Sequence, residues 1–75
     1  MSLEKLFAEV FSLPEAAVDD SLLFPDIETW DSLSHMLLIE RLESHYAVML
    51  SGDQIADMRS VSDARQALRS HGVVV

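Results

Sequence analysis

The chain contains no Cys, so neither a disulfide framework nor a thiolate zinc site can stiffen it. Two Gly and two Pro argue against collagen-like and low-complexity chains, and a hydrophobic fraction of 49% argues against intrinsic disorder. Cations are scarce: five Lys and Arg stand against thirteen Asp and Glu, a formal charge of −8. Nucleic-acid binding needs clustered cations that displace counterions from phosphates, so DNA, RNA and anionic lipid surfaces are poor partners. Long-range steering favours proteins with basic patches instead. No apolar run reaches the roughly 20 residues of a membrane span. The N-terminus, Met1-Ser2-Leu3-Glu4-Lys5, lacks the basic region and apolar core of a signal peptide. A cytoplasmic protein without membrane insertion is expected.

Typical domains run to about 100 to 150 residues, so the 75 residues form one small domain, 1–75. A chain this short barely offsets its conformational entropy by burial, and helix packing must do the work that disulfides or metals do elsewhere. The Met1 start, the lack of flanking linkers and the end soon after the last helix read as a free-standing protein, with a domain excised from a larger chain as the alternative, and a monomer is expected.

Leu3, Leu6, Phe7, Val10 and Phe11 recur with helical period, which predicts a first helix from its cap at Ser2 to Ser12. Pro14 stops it, because the residue before a proline is pushed out of the helical region. A long irregular stretch follows to Asp31, with room for a short turn over Pro14 to Val18 and an apolar plug at Leu22-Leu23-Phe24. The second helix spans Asp31-Ser32 to Tyr46. At about 100° per residue, Leu38, Ile39, Leu42 and Tyr46 share one arc, while Leu33, Met36 and Leu37 flank Glu40 on the other. One arc builds the core, so the other needs a different explanation.

Ser51-Gly52-Asp53-Gln54 has the form of a capping box opening a short third helix to Met58. Ser60-Val61-Ser62-Asp63 is a second box by spacing. The fourth helix, Val61 to His71, turns Val61, Ala64, Ala67 and Leu68 inward, places Arg65 and Arg69 toward the negative end of its dipole, and ends at Gly72. Val73-Val74-Val75 has no assigned role. The expected fold is all-α, three main helices plus one short helix, with Leu6, Phe7, Val10, Phe11, Leu38, Ile39, Leu42, Tyr46, Val61, Ala64 and Leu68 packed together.

Asp31-Ser32-Leu33 sits where the long loop meets the two-faced helix. Read alone, Asp31 or Ser32 is an N-cap. With the acidic composition, the long loop and the short third helix, the tripeptide resembles the attachment site of the acyl carrier protein family, and the likeness extends from Leu3 to about Leu68. Met36, Leu38, Ile39, Leu42 and Tyr46 stand where that family places apolar residues of the second helix. Phe24 and Ile27 match its loop positions, and Val61-Ser62-Asp63-Ala64 matches the start of its last helix.

The resemblance implies an acyl-carrier-like bundle that is not itself an enzyme. Ser32 receives a 4′-phosphopantetheine arm from coenzyme A, and Asp31 helps a phosphopantetheinyl transferase hold metal and coenzyme A. An acyl- or aminoacyl-loading enzyme and an acceptor transferase or synthase follow as partners. They would dock on Leu33, Met36, Leu37, Glu40 and Glu43. Ile27-Glu28-Thr29-Trp30 lacks the paired glycines that precede the serine in peptidyl carriers. Leu37, Arg41, Ser44 and His45 replace the strongly acidic second helix of fatty-acid carriers, and the chain looks like the discrete carriers of specialised pathways. The alternative is a cofactor-free acidic adaptor docking through the same face.

Other constellations are weaker. Asp31, Ser32 and His35 are the residue types of a hydrolase triad, but they crowd one helix start without an oxyanion site. Asp19-Asp20 and Asp26-Ile27-Glu28 lack the spacing of a calcium hand. His35, His45 and His71 have no helical pairing that would ligate a metal and read as surface or boundary residues, and Trp30 reads as packing.

Overall fold

In the computed structural model, which describes residues 2–75, four α-helices follow in order: α1 (Leu3–Phe11), α2 (Ser32–Tyr46), α3 (Gly52–Asp57) and α4 (Val61–Ser70). Two short 3-10 turns, Glu15–Ala17 and Phe24–Asp26, lie in the long connection between α1 and α2. No strand occurs among the described residues, and no helix is long and apolar enough to cross a membrane.

Each helix begins where its cap was legible. Ser2 Oγ accepts from Lys5 N–H at 3.1 Å, Ser51 and Gln54 form a reciprocal box, and Ser60 Oγ accepts from Asp63 N–H at 3.0 Å. The second half of the Ser60 box differs from expectation: the Asp63 carboxylate takes the Arg59 N–H at 3.0 Å, one residue before the cap. Ser12 and Ala47 close α1 and α2 in left-handed conformation, with φ of 56° and 54°. Gly72, at φ 84°, follows the end of α4. Pro14 caps its 3-10 turn rather than occupying the first turn position.

Leu3, Leu6, Phe7 and Phe11 of α1, Leu38, Ile39 and Leu42 of α2, and Val61, Ala64 and Leu68 of α4 form the buried centre. Phe7, Phe11 and Phe24 sit with ring centroids 5.7 to 6.1 Å apart, an arrangement that adds to plain area burial. Val10 and Tyr46, expected in this set, are only half-buried at its edge. Val18, Leu50 and Met58 join the core from outside the helices.

The apolar plug is corrected at its middle residue. Leu23 is extended, just ahead of the Phe24–Asp26 turn, and forms a single antiparallel bridge with Ser60, through Phe24 N–H to Arg59 carbonyl at 2.8 Å and Val61 N–H to Leu22 carbonyl at 3.1 Å. Successive side chains of extended backbone alternate in direction. Phe24 is therefore buried while Leu23 is 49% exposed.

Arg65 is also placed differently. Its guanidinium reaches Glu4 at 2.6 Å and Asp20 at 3.0 Å, tying α4 to α1 and to the loop. Arg69 donates to the Val75 carbonyl at 2.9 and 2.6 Å. The Glu4 carboxyl is held below the ordinary carboxylate range, first by its backbone N–H at the start of α1 and then by Arg65. Burial, reinforced by Glu4, pushes the Tyr46 hydroxyl up.

Helix α3 buries none of its own residues. Polar contacts clip it in place. Gln54 donates to Ser70 Oγ at 3.0 Å and pairs with His71 Nε2 at 2.9 Å, while His35 on α2 contacts the Ile55 carbonyl at 3.0 Å. Met58, just past its end, is buried.

Candidate functional site

Ser32 is the first residue of α2, and the chain before it is pinned. Thr29 Oγ1 donates to the Phe11 carbonyl at 2.8 Å, fixing the loop on the end of α1. Asp31, in extended conformation, accepts from Ser34 N–H at 2.8 Å, and its own N–H donates to Ser34 Oγ at 2.8 Å. This is a capping box with serine in the place of glutamate. The bond from Ser34 N–H is the chief cause holding the Asp31 carboxyl below its usual range, so an exposed negative charge stands beside Ser32.

Ser32 is itself exposed, and its hydroxyl makes no hydrogen bond with the described residues. A serine at this place is firmly held by its backbone yet open to a modifying enzyme. The first turn of a helix also leaves backbone N–H groups and the positive dipole end available to an anion carried on the hydroxyl.

Trp30 and His35 straddle the serine. Trp30 Nε1–H donates to His35 Nδ1 at 3.2 Å, which places the ring hydrogen of His35 on Nε2, facing the Ile55 carbonyl at 3.0 Å. Trp30 lies 6.3 Å from the Phe24 ring, half-buried, so its packing role holds. The bridge from the loop through His35 to α3 was not read from the sequence. Its signal is a Trp donor two residues before the helix and a His on the first turn.

The outer arc of α2 is open. Leu33 is 82% exposed, Met36 54% and Leu37 39%. With Thr29, Asp31, Glu40 and Glu43 they border a groove of about 730 Å³. The two acids differ. Glu40 is exposed, whereas Glu43 is partly buried and its carboxylate accepts the Leu50 N–H at 2.8 Å. Glu43, read from the sequence as a docking residue, thus also holds the turn that follows α2.

A second recess, about 350 Å³, opens on the other side of Ser32. It is walled by Phe24, Trp30, His35, Met36, Ile55 and Met58, with Arg59 beside them. Among the described residues no cluster of three or more His, Asp or Glu is placed to hold a metal. The residues present do fit a phosphodiester-linked arm: a free hydroxyl at a helix start, an apolar recess beside it and a cation on that recess. No protein-family model matches the chain and no curated protein matches it.

Proposed function

We propose that this protein is a carrier that holds an acyl or aminoacyl intermediate as a thioester on a 4′-phosphopantetheine arm attached to Ser32 and presents it to enzymes of a cytoplasmic biosynthetic pathway. The observation that carries this reading is the exposed Ser32 hydroxyl, unbonded among the described residues, on the first turn of a helix whose start is fixed by Asp31, Ser34 and Thr29. Ser32 Oγ is the nucleophile toward the pyrophosphate of coenzyme A, whose adenosine half leaves with the other phosphate, and the hydroxyl proton passes to the transferase. Asp31 supplies a charged carboxylate next to that oxygen for the metal of the transferase. When bound, the arm supplies the thiol that the Cys-free chain lacks.

The exposed Leu33, Met36 and Leu37 support a role for the outer groove in docking the loading and acceptor enzymes, since apolar residues grouped on one exposed face point to an interaction site. Incubation with a broad-specificity phosphopantetheinyl transferase, magnesium and coenzyme A tests the reading. Intact mass should rise by one arm, peptide mapping should place it on Ser32 among the ten serines, and Ser32→Ala should abolish it. No gain with several transferases, with partner binding intact in Ser32→Ala, supports the cofactor-free adaptor instead.

A further inference from the structure

Two recesses flank the first turn of α2, and Met36 forms part of the wall of both. Three carboxylates border the outer groove, those of Asp31, Glu40 and Glu43. Ser32 lines the inner cleft but not the outer groove, and the inner cleft's only Lys, Arg, Asp or Glu is Arg59. That guanidinium is exposed and has no carboxylate partner among the described residues, although the chain carries a charge of −8. Arg65, by contrast, is bound by two acids. An anion bonded to Ser32 Oγ is thus repelled on one side and attracted on the other. A guanidinium also matches phosphate oxygens with paired N–H donors, which a lone ammonium does not.

Resting on the carrier reading, we propose that Arg59 is the counter-ion of the phosphodiester on Ser32. The first segment of the arm then lies in the inner cleft against Trp30 and Met36, leaving the outer groove open for the enzyme that loads it. This divides the two sides of one helix turn between the cofactor and the partner, with charge as the selector.

Trp30 is the only tryptophan and lines the inner cleft, so acrylamide quenching of its fluorescence reports whether the cleft is filled. Apo protein is compared with cargo-free protein whose modification at Ser32 is verified by intact mass. Quenching should fall in the modified form, and the Arg59 Nε–H resonance should shift. Arg59→Gln removes no side-chain hydrogen bond or ion pair among the described residues; once modified, it should lower the docked-to-free ratio about fivefold, the ratio that corresponds to the upper range for an exposed ion pair. About 1 M salt, which shortens the screening length to about 3 Å, should do the same to the native sequence. Equal quenching before and after modification, or protection that survives Arg59→Gln, overturns the assignment while the mass gain leaves the carrier reading intact. An Arg59 shift that appears only after loading a carboxylate-bearing acyl group overturns the phosphodiester as its anion. No mass gain at Ser32 overturns both.

Discussion

Replacing Leu42 with alanine deletes a fully buried side chain from the inner arc of α2. Truncating a buried leucine costs about 2 to 5 kcal/mol, the lost transfer free energy plus the cavity left behind. At about 0.05 to 0.15 kcal/mol per residue, a chain of 75 residues holds roughly 4 to 11 kcal/mol in total. One substitution therefore removes a large share of it. For a domain of this size each kcal/mol moves the midpoint by about 4 to 8 °C, so Leu42→Ala should melt about 8 to 40 °C lower. The matched control is Leu33→Ala on the same helix, where the side chain is 82% exposed. That change should stay within about 0.5 kcal/mol. Thermal and urea unfolding of the unmodified proteins, followed by helical circular dichroism, measures both. A midpoint for Leu42→Ala equal to that of the native sequence, or a Leu33→Ala that falls with it, would refute the division of α2 into a core arc and a docking arc.

Other expectations follow from single contacts. Leu37→Ala should slow loading by the cognate enzyme while leaving the melting temperature unchanged; Glu43→Ala should lower stability by about 1 to 3 kcal/mol, because the N–H of buried Leu50 loses its acceptor. Glu4 has its folded pKa below its ordinary value of 4.5, so its contribution is fully present above that pH and is lost as the pH falls through the lowered folded value. Glu4→Gln should accordingly flatten the decline of the melting temperature below about pH 4.5; an unchanged acid limb would show that Glu4 is not a source of it. His35→Phe removes both the acceptor of Trp30 and the clip on Ile55, and hydrogen exchange should quicken in α3 ahead of α1 and α4.

Where a local rule decided the structure, the sequence reading holds except at the Asp63 half of the Ser60 box and at Pro14. Caps at Ser2, Asp31, Ser51 and Ser60 depend on a hydroxyl or carboxylate and its own next turn, and all four accept the expected N–H. The two arcs of α2 follow from angular spacing alone, and the exposed Leu33 and Met36 and buried Leu38 and Leu42 fall on the expected sides. Contacts across the bundle were not legible. Arg65 read as a dipole partner because its acids lie 61 and 45 residues away. Leu23 read as part of a plug because nothing local announces the bridge to Ser60 that turns it outward. At the candidate site, the exposure of Ser32 followed from its place at the helix start. The His35 bridge to α3 and the tie between Glu43 and Leu50 depend on how separate segments meet, and sequence spacing does not encode that.

The scarcity of glycine has a cost at the ends of α1 and α2. Ser12 and Ala47 hold the left-handed turn that closes α1 and α2 although each carries a Cβ. A side chain in that region costs about 1 to 2 kcal/mol, and glycine avoids most of it. The native chain therefore sits below the stability its own backbone allows, at each of the two positions by an amount comparable to about one or two buried methylenes. Ser12→Gly and Ala47→Gly offer a route to a sturdier scaffold that leaves Ser32, both recesses and every buried side chain untouched.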